Sequence, residues 1–523
     1  MLSKYYTRLL IWSLARSILA FALLIGWYVP DDMAASGEGD RGAAGACPMG
    51  GRQLVGGRTL LEVPARPLLY SLNVSQTLDA IPDFLVAQYR QFDFLWLQGV
   101  WKLGTYGLSL DRTDPKRVAS YNDALPGWTK DDVIGSPYAI YDYVVSEAIG
   151  GESALRRFRQ RIRPARLLLD FVPNHMARDC PWPETYFVHT SGPQPPAVNA
   201  TTTFPIRAYG RDPYTGAWDD TAQLNYFNLA TRRHQTRTLL HIASMCDGVR
   251  ADMAMLALNE VFQRVWGDNA EVGAFPRPHT EFWSEAVHAL RQQHPQFFLL
   301  AEVYWGLDGR LQELGFDCTY DKQLYDLLHA RHLDNLRAYI ASRSQEQHAH
   351  GAHFVENHDE PRAIAYFGGV PVANAAAAFS YLLPGLRFQF DGQEQGRAAR
   401  LEVHLRRAAD DDRPPDPQVQ SFYRRLNRIL ALDIVRNGIW AYDDSGARQH
   451  WRLITWTWRA RNCSAEPNGS GDFRRLQVVI NYSDEPVQYV HAYTEELLSS
   501  NSSSNNNASQ IIEAWGVRVF RAA

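Results

Sequence analysis

Cysteine is scarce in this chain, whose 523 residues include five: Cys47, Cys180, Cys246, Cys318 and Cys463. An odd, scattered set of that size is no disulfide framework. Charge of one sign is lacking as well. Lys+Arg 53 against Asp+Glu 57 leaves a formal net charge of -4, without the basic excess that would make nucleic acid the expected partner. Long apolar runs are absent but for one, Leu9–Val29. Mean hydropathy is -0.33, and together these exclude a polytopic membrane protein. Disorder over most of the chain is excluded too, because 46% hydrophobic residues can bury a core that offsets chain entropy. Aromatic residues are plentiful, with Trp 15 and Tyr 25, enough for a large core and for ring-stacking sites.

The two ends differ from the body. Leu9–Val29 is apolar except for Ser13, Arg16 and Ser17, and Lys4, Arg8 and Arg16 make its N-terminal side basic. Residues 1–30 therefore read as a cleaved signal peptide or as a signal anchor that holds the protein to a membrane through residues 9–29. Either reading delivers the body to the secretory pathway, secreted or membrane-anchored with its bulk lumenal or extracellular. Residues 31–65, rich in Gly and Ala at first, read as a linker. Seven N-x-[ST] sequons occur, at Asn73, Asn199, Asn462, Asn468, Asn481, Asn501 and Asn507, and glycosylation of a few is expected. Ser499–Ser509 is a polar low-complexity tract that reads as a surface loop. Cys246 and Cys318 lie in apolar runs and read as buried thiols. Cys47, just beyond the apolar segment, could pair between chains.

Short apolar runs, the pattern of parallel strands buried on both faces, recur from residue 66 to 400. They are Pro67–Val74, Phe92–Val100, Arg166–Val172, Cys246–Val249, Phe297–Val303, Phe316–Tyr320, His353–Glu356 and Leu386–Phe390. Helical patterns fall between several of them, at Gly151–Arg163, Val261–Gly267, Glu281–Gln293 and Lys322–Arg343. Eight strands alternating with helices predict a (β/α)8 TIM barrel over residues 66–435, with its site at the carboxyl ends of the strands. Residues 176–234, weakly periodic and rich in Pro, Gly and aromatics, read as a small domain inserted after the third strand. Residues 436–523 carry short alternating segments and predict a C-terminal antiparallel β-sandwich.

Titratable residues close several of the apolar runs. Asn174-His175 follow the third, Arg250 and Asp252 the fourth, Glu302 stands in the fifth, and His358-Asp359 follow the seventh. Arg250 and Asp252, two apart on an extended chain, share one face, and a guanidinium beside a carboxylate favours the ionised nucleophile. Glu302, from another strand, suits the proton donor if its surroundings raise its pKa. Such a pair of carboxyls, roughly 5–5.5 Å apart, cleaves a glycosidic bond with retention.

The segments LLLDFVPNH (Leu167–His175), DGVRAD (Asp247–Asp252), LLAEVYW (Leu299–Trp305) and FVENHDE (Phe354–Glu360) resemble, in order and spacing, the four signature regions of the α-amylase superfamily, glycoside hydrolase family 13. The resemblance implies Asp252 as nucleophile, Glu302 as general acid/base and Asp359 as the carboxylate that holds sugar hydroxyls and stabilises the transition state. It implies that Arg250 orients the nucleophile and that His175 and His358 bind the sugar in subsite -1. Asp170 is then a supporting carboxylate, whose plain alternative is a barrel-interior salt-bridge partner. Tyr138, in GSPYAIYDY, resembles the tyrosine that stacks beneath the sugar. Asn174 matches the family's asparagine calcium ligand, with Asp212, Asp219 and Asp220 as further oxygen donors to consider and no organic cofactor implied.

The chain departs from the pattern after the nucleophile. Met253–Leu256 reads MAML where many α-amylases have a Lys-His pair that contacts the substrate and the calcium site, so that acceptor-side contact is missing. The resemblance implies a retaining hydrolase of α-glucans or maltooligosaccharides. The same residues would serve an α-glucan transglycosylase. A rival from another class is a catalytically silent, membrane-anchored partner subunit, of the kind that links to amino-acid transporters through a cysteine like Cys47. The sequence sets neither oligomeric state nor exact substrate.

Overall fold

The computed structural model describes residues 57–72, 77–190, 206–461, 474–490, 495–499 and 509–522. The apolar segment 9–29, Cys47, Cys463 and the sequons at Asn73, Asn199, Asn462, Asn468, Asn501 and Asn507 lie outside them.

Eight parallel strands close into a barrel in which each strand pairs with its chain neighbours. They are β1 (Thr59–Pro64), β2 (Phe94–Gln98), β3 (Arg166–Phe171), β4 (Gly248–Ala251), β5 (Phe298–Ala301), β6 (Cys318–Tyr320), β7 (Gly351–His353) and β8 (Leu386–Phe390). Seven of the eight apolar runs supply these strands or lie at their ends. The barrel starts earlier than the sequence reading placed it. Thr59–Pro64, inside the segment read as linker, pairs with both β2 and β8. Of the run Pro67–Val74, expected as the first strand, residues 67–71 instead belong to the helix Ala65–Ser71, which buries Ala65, Leu68 and Leu69 at helical spacing.

The strands lie between surrounding helices and a filled interior, which explains their near-continuous apolar runs. Helix Gly151–Arg161 buries Gly151, Ala154, Leu155 and Phe158, the i, i+3, i+4, i+7 stripe of an amphipathic helix. The run Lys322–Arg343 is two helices, Lys322–Ala330 and Leu333–Ala341, because Arg331 adopts a left-handed conformation with φ 58° that ends the first. Gly248 at the start of β4 is required by close approach, since a Cβ there would lie 2.6 Å from the Phe298 carbonyl oxygen of β5.

Within the inserted region, His175–Ala177 and Thr221–Gln223 form a two-stranded antiparallel ladder in which His175 faces Gln223. Helix Leu229–Met245 begins before the expected end of the insertion at residue 234 and packs on the helix Phe282–Gln293. The C-terminal residues form β9 (Ile439–Asp443), β10 (Leu453–Arg459), β11 (Arg475–Asn481), β12 (Val487–Val490), β13 (Glu495–Ser499), β14 (Ser509–Ile512) and β15 (Val517–Ala522). One antiparallel sheet runs β9-β10-β11-β15-β13 and a second pairs β12 with β14, the sandwich that alternation predicted. Trp456 and Trp458 of β10 donate their indole N–H groups to the Leu382 carbonyl, at 3.1 and 2.9 Å, tying the sheet to the barrel.

Cys180, Cys246 and Cys318 are buried free thiols, as the apolar surroundings of the last two implied. Asn481 does not suit a glycan. It is fully buried in β11, and its Nδ2 donates to the carbonyls of Glu485, Ile512 and Glu513.

Candidate active site

Barrel register sets the first layer of the site. Asp170 of β3 pairs with Arg250 of β4, and Arg250 pairs with Leu300 of β5. Two residues further along each chain, the Asp252 amide donates to the Phe171 carbonyl and the Glu302 amide to the Ala251 carbonyl. Adjacent strands thus continue in step past their ends, and Asp252 and Glu302 leave the barrel at the same level.

Arg250 joins them. Its Nη1 lies 2.7 Å from Asp252 Oδ1, its Nη2 lies 2.7 Å from Glu302 Oε2, and Nη1 is 3.9 Å from Asp170 Oδ1. The guanidinium is fully buried among Trp96, Tyr138 and Tyr320, with its carbon 5.1, 5.2 and 5.8 Å from their ring centres. Glu302 also accepts from the Met253 amide at 2.7 Å and from Tyr304 Oη at 2.8 Å. Burial pushes the Glu302 carboxyl up to about 7, against the pull of Arg250 and with help from the charges of Asp252 and Asp359. Burial raises Asp252 also, opposed by the charge and hydrogen bond of Arg250. One guanidinium between two buried carboxyls favours a single shared proton, so the pair titrates as a unit.

A second charged group stands opposite. His358 Nδ1 is 2.6 Å from Glu62 Oε1, and its Nε2 is 3.0 Å from Asp359 Oδ2 and 2.6 Å from Tyr138 Oη. Burial alone would lower the His358 pKa, but Asp359 and Glu62 carry it up to about 10. Asp359 is buried enough to be pushed upward, yet the imidazolium outweighs this and holds it down at about 2. With 45% of its side chain open, Asp359 is the accessible carboxylate of the cluster. Tyr138 stacks on His358 with ring centres 5.4 Å apart and planes at 29°, and Gln98 Nε2 donates to its hydroxyl at 2.8 Å.

Asp170 lies beneath these groups. It accepts from Trp96 Nε1 at 3.1 Å and the Gly99 amide at 3.2 Å, and burial lifts it to about 7 against the pull of Arg250. His175 sits beside the cluster on the inserted ladder. Asn174 Nδ2 is 3.3 Å from its Nδ1, the Trp218 ring is 5.2 Å away, and burial lowers its pKa to about 4, keeping the ring neutral.

The residues present do not fit a calcium ion at Asn174. Its Oδ1 and its carbonyl oxygen accept from Gln223 Nε2, at 3.0 and 2.9 Å. Asp212 accepts from the Tyr214 and Thr215 amides, and Arg117 pairs with Asp219 at 2.5 Å and approaches Asp220 to 3.9 Å.

Three groups escaped the sequence reading. Glu62 is a charged residue inside the apolar run LLEV, a signal that was available but stood in a segment taken for linker. Tyr304 and Trp305 lie in the quoted segment LLAEVYW, yet nothing in the sequence distinguished them from core aromatics. Trp305 is 39% exposed with φ 62°, and its ring meets that of Tyr214, 65% exposed, edge-on at 5.0 Å.

A closed (β/α)8 barrel with a guanidinium-linked pair of strand-end carboxyls and a third carboxylate on a histidine defines the class of protein. No family model matches the chain. It is 26% identical over 274 residues to an α-amylase, MalA, of Haloarcula japonica, a match covering 51% of this chain and 37% of that protein. Among solved structures it resembles an α-amylase from Lactobacillus plantarum, at 19% identity and TM-score 0.60, over 89% of this chain and 99% of the other. It also resembles a cyclic α-maltosyl-(1→6)-maltose hydrolase from Arthrobacter globiformis, at 16% identity and TM-score 0.61, over 90% and 99%. A trehalose-6-phosphate hydrolase from Bacillus licheniformis gives 13% identity and TM-score 0.58, over 90% and 100%. The chain shares the barrel fold of these α-amylase-type structures, as the resemblance implied.

Proposed function

We propose that the protein is a retaining α-glucosidic hydrolase that acts on α-glucans or maltooligosaccharides through a covalent glycosyl-enzyme. The observation that carries this reading is the grip of Arg250 on Asp252 and Glu302 together. Both carboxyls then lie within the span of one guanidinium, the short separation of a double displacement instead of the wider gap that admits a water between them. Asp252 attacks the anomeric carbon, and Glu302, held protonated by burial, gives its proton to the leaving oxygen. Water then displaces Asp252 from the sugar as Glu302 takes the proton back. Asp359, ionised and open to the cleft, accepts hydrogen bonds from sugar hydroxyls and faces the positive charge of the oxocarbenium-like transition state. The names of the similar proteins, all α-glucosidic hydrolases, support the substrate class.

Incubating the protein with maltooligosaccharides, starch, glycogen and small α-glucosides tests the reading. Turnover of at least one is expected, and NMR of the first-formed product shows the α anomer. A folded protein inert on all of them, or one that releases the β anomer first, contradicts it.

The MAML sequence after Asp252 carries no polar acceptor contact, and the exposed pair Trp305–Tyr214 suits that task. Trp305 is three residues beyond the acid/base, and an exposed aromatic face packs well on a pyranose ring. Trp305→Ala is expected to raise KM for a maltooligosaccharide roughly 2–10-fold, the worth of about 0.5–1.5 kcal/mol for one ring contact. Hydrolysis of a small aryl α-glucoside changes less. Equal effects on both substrates would remove Trp305 from the binding surface.

The basic residues ahead of Ser17–Val29 and the several sequons outside the described residues support export of the barrel into the secretory pathway. Among the described residues no helix is long and apolar enough to cross a membrane.

A further inference from the structure

We propose that the Gln223 amide takes the place of a calcium ion at Asn174, and so holds the His175 side of the site without metal. Three oxygens converge on Gln223 Nε2: the Asn174 carbonyl at 2.9 Å, Asn174 Oδ1 at 3.0 Å and the Leu224 carbonyl at 3.0 Å. Gathering carbonyl-type oxygens around one positive centre is what a hard cation does. Here two N–H groups of a neutral amide are shared among the three. The amide orientation follows from the same geometry, because an oxygen turned toward three acceptors would be repelled.

The neighbouring carbonyls meet neutral donors as well, while Gln223 Oε1 itself is buried without a hydrogen-bond partner. The Asn174 carbonyl also accepts the Leu224 amide at 3.1 Å. The preceding carbonyl, of Pro173, accepts Tyr226 Oη at 2.7 Å and Gln235 Nε2 at 3.1 Å. Gln223 is fully buried and stands directly opposite His175 on the two-stranded ladder, so its position is set by backbone pairing and does not depend on a ligand.

The consequence reaches the site through Asn174. With Oδ1 committed to Gln223, the Asn174 Nδ2 is turned to His175 Nδ1 at 3.3 Å. His175 then accepts at Nδ1 and carries its proton on Nε2, with the Tyr138 backbone acting on the ring. Tyr138 is the residue stacked on His358. Gln223 is therefore a positioning residue for the sugar-binding wall.

The experiment compares the full chain and its variants in thermal unfolding, with EGTA and with millimolar calcium. The wild type is expected to unfold at the same temperature in both. Gln223→Glu puts a carboxylate among the three oxygens; without calcium its midpoint is expected to fall by roughly 2–4 °C or more, the scale of a lost buried donor. Calcium is expected to restore it, because the oxygens and the new carboxylate now form a cation site. A wild-type midpoint raised by calcium and lowered by EGTA, with the response abolished in Asn174→Ala, would overturn the proposal. So would a folded Gln223→Glu indifferent to calcium. Calcium titration calorimetry of the wild type and Asn174→Ala decides the matter should the Gln223 variant fail to fold. Binding lost in Asn174→Ala overturns the proposal, and no binding at that residue sustains it. These readouts are of binding and unfolding, so they stand whether or not the proposed hydrolysis is correct.

Discussion

Asp252→Asn is expected to lower kcat for α-glucoside hydrolysis by roughly 10^4-fold or more, the scale seen when one member of a catalytic unit is lost. The asparagine keeps the shape of the site and can still contact Arg250, but it cannot form the glycosyl ester. Glu302→Gln is expected to cost roughly 10^2–10^4-fold, the usual worth of a positioned general acid/base, and most on substrates whose leaving group needs a proton. The pH profile separates the roles. In the proposed mechanism Glu302 is protonated in the first step, and burial carries it to about 7, so kcat/KM is expected to fall on the alkaline side with a midpoint near that value. Asp252 must be ionised, so its deprotonation, coupled to that of Glu302, sets the acid limb. Steady-state kinetics over pH check both limbs. An alkaline limb unchanged in Glu302→Gln would remove Glu302 from the acid/base role. A near wild-type rate in Asp252→Asn would remove the nucleophile.

The second large effect is on stability. His358→Ala is expected to destabilise the fold by about 3–5 kcal/mol, the cost of leaving one partner of a buried ion pair alone. Glu62 has no exposed surface, and His358 faces it with its Nδ1 2.6 Å from Oε1. Adding Glu62→Gln to His358→Ala should recover part of the loss, because the stranded charge is then gone. Urea unfolding of the two singles and the double measures it; strictly additive losses would show that the two side chains do not interact. The pair also has a pH signature. The folded-state pKa of His358, about 10, lies above its unfolded value of roughly 6.5. Its stabilisation is therefore complete below the unfolded value and is lost as pH rises through about 10. Asp359, depressed to about 2, contributes stability that is lost only as pH falls toward that value.

Local spacing carried much of the site. Arg250 and Asp252 share a face because an extended chain alternates, and His358-Asp359 are adjacent, so both pairs could be read without a structure. Seven of eight barrel strands were legible because parallel strands are apolar on both faces. The eighth was missed for a physical reason. Thr59–Pro64 contains Glu62 where an apolar residue was expected, and the neighbouring Pro67–Val74 was a more apolar run whose first five residues fold as part of a helix. Asn481, a sequon by spacing, is withdrawn from any glycan by three hydrogen bonds to carbonyls that only the folded chain brings to it.

The scarcity of cysteine, the balanced charge and the single long apolar run excluded other classes, eight apolar runs alternating with helices pointed to a barrel with additions, and four short segments pointed to the carboxylates. What they could not state is which charges meet. Glu302 comes to Arg250 from 52 residues away, and Gln223 reaches Asn174 from 49; Glu62 reaches His358 from the first strand. These contacts depend on barrel closure and strand register, which bring distant positions to one level. Only the tertiary structure therefore decides where the protons reside and which donor holds the wall of the site, because burial and the nearest charge set both.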